Sequence, residues 1–266
     1  MKENPIGLFD SGVGGLTVAH AIKQIMPQES LIYFGDTAHL PYGDKSAEAI
    51  RQYSEKITGF LLEQSAKAVL VACNSASASA FGYLKDKFGN RTILMDVISP
   101  VIDYIASRGY KKVGVIGTKR TISSGVYSHL LKEKSPGTKV VSIATPLLVP
   151  MIEEGFIYDD VSSQIIRAYL SNESFRGIEA IILGCTHYPI IRNQISRFFD
   201  FNVEVVDSSI IVSEAVREIL DNHGLLSGRQ KGTDTFFVSD YTDYFAKIAR
   251  MFFGKEIKLI KSDIWK

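Results

Sequence analysis

The sequence predicts an α/β protein with two similar doubly wound domains, each built on a mostly parallel sheet. The two domains are expected to be pseudo-twofold related, with the active site in the interdomain cleft. Three observations carry this. Strand-type and helix-type stretches alternate along all 266 residues, the pattern of a parallel sheet with helices on both faces. The two cysteines in the chain, Cys73 and Cys185, each close a strand-type run and lead into small polar residues. A weak internal repeat appears when those cysteines are used as pegs. The strand end Phe9-Asp10-Ser11-Gly12 finds its counterpart at Ile116-Gly117-Thr118-Lys119, and Cys73 finds its counterpart at Cys185, in the same order.

Runs of β-branched and other apolar residues place strands at 5–9, 30–35, 68–72, 92–96, 112–116, 139–143, 180–183, 203–206 and 235–238. Helical periodicity is clearest over 46–64, 159–170 and 210–222. The segment 222–234, with Gly224, Gly228 and Gly232, reads as an exposed connection. The repeat places a second domain at 97–206. The first domain is then 1–96 completed by 207–266. Open α/β sheets bind ligands beyond the carboxyl ends of their strands, so two facing domains would put one cysteine on each wall of a small cleft.

Composition narrows the class of partner. The hydrophobic share is 45% and the charged share 22%, near the average for globular proteins. A net charge of +1 gives no broad attraction to nucleic acid or anionic membrane, and no apolar run approaches bilayer-spanning length. The start of the chain is too polar for a signal peptide. A cytoplasmic protein acting on a small molecule is expected, without nucleic acid or membrane partners. In a reducing compartment the two cysteines are poor candidates for a disulfide, and no Cys-x-x-Cys pair supports zinc. They are inert buried thiols or reactive ones.

Four motifs bear on that choice. Asp10-Ser11-Gly12-Val13-Gly14-Gly15 follows a strand. It departs from the dinucleotide pattern and reads as a structural turn or as one gripping a carboxylate or ammonium group. In His39-Leu40-Pro41-Tyr42-Gly43, proline and glycine bracket Tyr42 in a rigid loop, either a surface turn or a binding loop. Each cysteine motif places a thiol before an expected helix, where its pKa is lowered, so either can be a thiolate at neutral pH. Asn74, Ser75 and Thr186 offer short polar side chains beside the sulfurs, while His187 and Asp10 are candidates to pass protons to them. Two thiols flanking one carbon suit moving a proton from one face to the other.

Together these motifs, including Ala72-Cys73-Asn74-Ser75-Ala76 and Gly184-Cys185-Thr186-His187-Tyr188-Pro189, resemble the glutamate racemase family. Val113 to Thr118 with Thr121 and Tyr127, and Leu148-Val149-Pro150 with Glu153, fit the same family in order. The resemblance implies a cofactor-independent isomerase that interconverts L- and D-glutamate by two-base proton transfer and serves peptidoglycan synthesis, often as a homodimer. It implies catalytic roles for Cys73 and Cys185, with Asp10 assisting the first and His187 with Glu153 the second. Substrate would be held by Ser11, Pro41, Tyr42, Gly43, Asn74, Ser75 and Thr186, together with Asp10, His187 and Thr118. Ser75 departs from the threonine usual there. Only nine residues precede Asp10, which favours the type that needs no cell-wall precursor as activator. An aspartate racemase would use the same thiols. A cysteine hydrolase built on Cys185 and His187 would leave Cys73 and the Asp10 turn unused, and a noncatalytic sensor would leave both thiols so.

Overall fold

The computed structural model describes residues 1–253 and 257–265. The first stretch runs β1 (Ile6–Asp10), α1 (Leu16–Ile25), β2 (Leu31–Gly35), α2 (Ala47–Glu63), β3 (Ala68–Val71), α3 (Asn74–Phe88), β4 (Ile93–Asp96) and α4 (Ser99–Arg108). Then come β5 (Lys112–Gly117), α5 (Lys119–Ser123), α6 (Val126–Lys134), β6 (Lys139–Ala144), α7 (Leu148–Glu153), α8 (Asp160–Leu170), β7 (Ala180–Gly184), α9 (Arg192–Phe198) and β8 (Glu204–Val206). The chain continues through α10 (Ser208–Asn222), β9 (Thr235–Val238), α11 (Asp243–Phe253) and β10 (Leu259–Lys261).

The strands form two parallel sheets. One has the order β10-β9-β2-β1-β3-β4 and the other β6-β5-β7-β8. Strands β1, β2 and β7 are buried along their whole length. Helices on both faces make this possible, and it is why these strands read as unbroken apolar runs rather than alternating ones. The inner four strands of the first sheet, β2-β1-β3-β4, have the order of the whole second sheet, so the repeat seen in the sequence is a repeat of topology. In both sheets the chain reverses its direction of travel across the sheet between the central pair, β1 with β3 and β5 with β7. At such a switch point the loops beyond the carboxyl ends splay apart and leave a crevice. Cys73 follows β3 and Cys185 follows β7.

Local chemistry sets the helix ends nearby. Ser46 caps α2 by accepting from Ala49 N at 3.2 Å. Asp159 and Ser162 form a reciprocal capping box on α8, and Asp207 caps α10. The largest apolar cluster is common to both sheets. Leu8 and Leu70 from one and Val113, Val115 and Ile182 from the other meet α4 (Val101, Ile102, Ile105) and α10 (Val212, Val216, Leu220). Because α4 and α10 pack together within this shared core, the domain limits at 96/97 and 206/207 stand as a proposal. Strand β10 and most of the shorter helices were not among the sequence expectations. Helix α3 opens Asn-Ser-Ala-Ser-Ala-Ser-Ala, and such small residues give no apolar stripe to detect.

Candidate active site

A cavity of about 190 Å³ lies where the two switch points face each other, and both sulfurs line it. Cys73 and Cys185 are free thiols, 5% and 6% exposed. Of the residues expected to hold substrate, Ser11, Pro41, Tyr42, Gly43, Asn74, Ser75, Thr118, Thr186 and His187 line the cavity, as does Glu153. Asp10 lies fully buried, behind the lining residues. Leu40, Asp44, Lys119, Thr145, Pro146, Val149 and Pro150 complete the wall. Of these, Thr145 and Pro146 belong to no motif visible in the sequence, and Asp44 gave no signal beyond being charged.

The glycine-rich turn does something other than grip an outside ion. Gly12 N donates to Asp10 Oδ1 at 2.8 Å, and the Gly15 N–H also faces that carboxylate. The N–H groups of Leu16, Thr17 and Ala19 return to carbonyls of the turn itself. The anion held at the start of α1 is therefore the chain's own Asp10. A Cβ on Gly14 would stand 2.3 Å from Thr186 Oγ1 and 2.6 Å from His187 Nδ1. The missing side chain is what lets the two walls meet. Thr186 Oγ1 donates to Asp10 Oδ2 at 3.2 Å, and Thr17 Oγ1 donates to Thr186 O at 3.1 Å. Of this turn, Ser11 lines the cavity.

On the first wall, Cys73 is the residue before α3. Its thiol donates to Ser11 Oγ at 3.8 Å and is approached by the backbone N–H groups of Ala76 and Ser11. The sequence expectation of a lowered pKa fails here. Burial drives the Cys73 pKa far above that of a free thiol, and the nearby Asp10 carboxylate adds to the rise. Those N–H groups oppose the shift without cancelling it. Asp10 is itself pushed up, by burial first, with His187 and its hydrogen bonds opposing. Asn74 donates from Nδ2 to Tyr127 Oη at 3.0 Å, while its buried Oδ1 has no partner among the described residues. Ser75 Oγ lies 2.9 Å from Thr118 Oγ1 and 3.3 Å from Thr121 Oγ1.

On the second wall, Cys185 does not precede a regular α-helix. A turn closed by Tyr188 N on Cys185 O leads into a 3-10 turn, Tyr188–Ile191, before α9. In place of a helix dipole the sulfur has a cation. His187 Nδ1 lies 3.8 Å from Cys185 Sγ, and Nε2 lies 3.1 Å from Glu153 Oε1. Burial works to lower the His187 pKa, but the hydrogen bonds and charges of Cys185 and Glu153 outweigh it. The net result pushes it up to about 10.

Two further contacts cross the mouth of the cleft. Lys119 Nζ pairs with Asp44 Oδ1 at 3.2 Å, and a Cβ on Gly43 would stand 2.9 Å from Thr118 Cβ. The binding loop of the first wall therefore rests directly on the start of α5. Chemically, the cavity offers one sulfur held as a thiol beside a carboxylate, one sulfur beside a cationic imidazole, and hydroxyl groups around them. This is the equipment for taking a proton from one side of a bound carbon and giving one to the other.

The model of the Asp/Glu/Hydantoin racemase family matches residues 16–216. The glutamate racemase of Neisseria meningitidis serogroup C is 38% identical over 261 residues, covering 98% of this chain and 96% of that one. Among solved structures, glutamate racemase from Francisella tularensis in complex with D-glutamate superposes with a TM-score of 0.93 at 35% identity. That match covers 100% of this chain and 99% of the other. Glutamate racemase from Thermus thermophilus in complex with β-chloro-D-alanine gives a TM-score of 0.88 at 36% identity, covering 98% and 97%. The chain belongs to the Asp/Glu/Hydantoin racemase family, and it is an amino-acid racemase, an isomerase.

Proposed function

We propose that this racemase interconverts L- and D-glutamate without a cofactor, by proton transfer between Cys73 and Cys185. The observation that carries the reading is the placement of two free sulfurs on opposing walls of one cavity, after equivalent strands of two like sheets. The three relatives described above are each named glutamate racemase, which supports the choice of substrate.

The α-proton of an amino acid is barely acidic, so the site must stabilise developing negative charge with groups already oriented toward it. The Cys185 thiolate, held by the His187 imidazolium, removes the α-proton from one face. The Cys73 thiol delivers its proton to the other face. The enzyme then carries its charge on Cys73, and the opposite enantiomer enters that form. Glu153 orients His187 and stabilises its charge. Asp10, lying behind the first wall, opposes charge on Cys73 when ionised and relieves it when protonated. Asn74 Oδ1, without a partner among the described residues, suits an ammonium group. The hydroxyls of Ser11, Ser75 and Thr118 and the backbone of the Pro41–Gly43 loop suit carboxylates. D-glutamate made in this way would serve peptidoglycan synthesis in the cytoplasm, and a homodimer belongs to the same reading.

The test is circular dichroism of L- and D-glutamate incubated with the protein in deuterated water, with no cofactor added. Both enantiomers should racemise, and the product should carry solvent deuterium at its α-carbon. Racemisation without label would refute proton exchange with the thiols. Faster turnover of D-aspartate than of D-glutamate would reassign the substrate.

A further inference from the structure

The loop Leu40–Asp44 supplies one side of the cavity, yet the hydroxyl of its Tyr42 is already engaged with a residue outside the lining. Tyr42 Oη donates to Asp36 Oδ2 at 2.6 Å. Asp36 is fully buried and also accepts from Ser239 Oγ at 2.8 Å, a residue 203 positions away, and sits 2.9 Å from His39 Nδ1. Ser239 Oγ in turn accepts from Ala38 N, and Asp240 N donates to Thr37 Oγ1. One carboxylate thus ties both turns of the loop to the end of β9.

The outer face of the loop is held differently. The His39 ring stacks on Tyr53 of α2, with centroids 4.2 Å apart and planes at 22°. Trp265 meets His39 edge-on at 4.4 Å and Tyr53 at 5.5 Å. Lys56 fixes the tryptophan from above, with Nζ 5.8 Å from the ring centre and 3.2 Å from Trp265 O. The indole Nε1 is buried with no hydrogen-bond partner among the described residues, so the ring itself is placed by its aromatic neighbours and the Lys56 ammonium. Aromatic pairs of this kind are favourable beyond the area they bury. Neither Asp36, His39 nor Trp265 lines the cavity.

We propose that Asp36 and Trp265 are positioning residues that set the Pro41–Gly43 loop for substrate, Asp36 from beneath through Tyr42 and Trp265 from outside through His39. The loop presents backbone groups, and backbone groups have no rotamer with which to correct a misplaced anchor. An error of about 1 Å in a positioning element costs up to about a hundredfold in rate or binding. The inference rests on the racemase reading and deepens it. It also assigns the one tryptophan of the chain to a place where its emission reports on that loop.

The test compares Trp265→Ala, Trp265→Phe and Asp36→Asn with the unaltered protein. Glutamate turnover by the unaltered protein checks the substrate reading separately, before any variant is made. Trp265→Ala should raise KM about tenfold and leave kcat within about twofold, the signature of lost binding rather than lost chemistry. Trp265→Phe, which keeps the stack on His39, should recover most of the loss. Asp36→Asn should raise KM as well, and by more, because it loosens Tyr42 itself. In the unaltered protein, tryptophan emission should change saturably with D-glutamate, with its midpoint near KM. An unchanged KM in folded Trp265→Ala overturns the proposal. If that variant does not fold, an emission insensitive to saturating D-glutamate overturns it instead.

Discussion

Cys73 and Cys185 follow corresponding strands of sheets with the same inner order, β2-β1-β3-β4 and β6-β5-β7-β8, and both are about 95% buried. Their neighbours are opposite in sign. Cys73 has the Asp10 carboxylate, which together with burial holds it as a thiol. Cys185 has His187, made a cation at neutral pH by that sulfur and by Glu153. Repeating a backbone repeats the place of a reactive atom but not its protonation. Protonation is set by one or two side chains that need not obey the symmetry. For a reaction that needs one base and one acid at any instant, two identical walls would be the wrong design.

The strongest way to break the comparison is to remove either sulfur. Cys73→Ala and Cys185→Ala should each lower turnover of both enantiomers by on the order of 10³-fold, within the range for a lost acid–base group. Near-normal turnover by either folded variant would take that wall out of the reaction. A smaller effect sharpens the contrast in charge. At neutral pH iodoacetamide should modify Cys185 faster than Cys73, as read by mass spectrometry of the peptides. In His187→Asn the preference should vanish and kcat/KM should fall about a hundredfold. Faster labelling of Cys73 in the unaltered protein would reverse the assignment.

The smallest effects are on stability, and their signs follow from linkage. The His187 pKa rises on folding from 6.5 to about 10. Its contribution is therefore fully present below pH 6.5 and is lost as the pH climbs through 10. The Tm advantage of the unaltered protein over His187→Asn should shrink across that window. The Asp10 pKa is also raised on folding, by burial first, from 3.8. Its contribution is present below 3.8 and disappears as the pH passes the higher folded value, so at neutral pH the carboxylate is a burden. Asp10→Asn should raise Tm at pH 7 while lowering turnover. A lower Tm would mean that its bonds to Gly12 and Thr186 outweigh its burial.

Those two walls were legible in the sequence to different depths. The strands carrying Cys73 and Cys185 stood out because a strand buried on both faces is a continuous apolar run, and the small polar residues after each marked its end. Glu153 and Thr118 could be named through the family resemblance but not from spacing. The pKa of Cys73 was misjudged because a position before a helix is visible in sequence, whereas the burial that overrides it is not. The glycines of the Asp10 turn were legible as a tight turn. Their use in bringing Thr186 and His187 against Gly14 joins segments more than 170 residues apart, and no local pattern encodes it. The support of Tyr42 by Ser239 through Asp36 escaped for the same reason.

The apolar cluster shared by the two sheets has a mechanical consequence. At the rear, prying the halves apart would expose side chains from four central strands and two helices, at about 25 cal/mol for each Å² bared. At the rim the halves meet through the exposed Asp44–Lys119 pair, of a kind that contributes only about 0–1 kcal/mol, and through the small contacts of Gly43 and Ser75 with Thr118. Admission of a ligand should therefore proceed as a gape about a rear pivot, widest at the rim and least where the sulfurs stand. The gap between the two sulfurs would then stay nearly constant while the doorway swings.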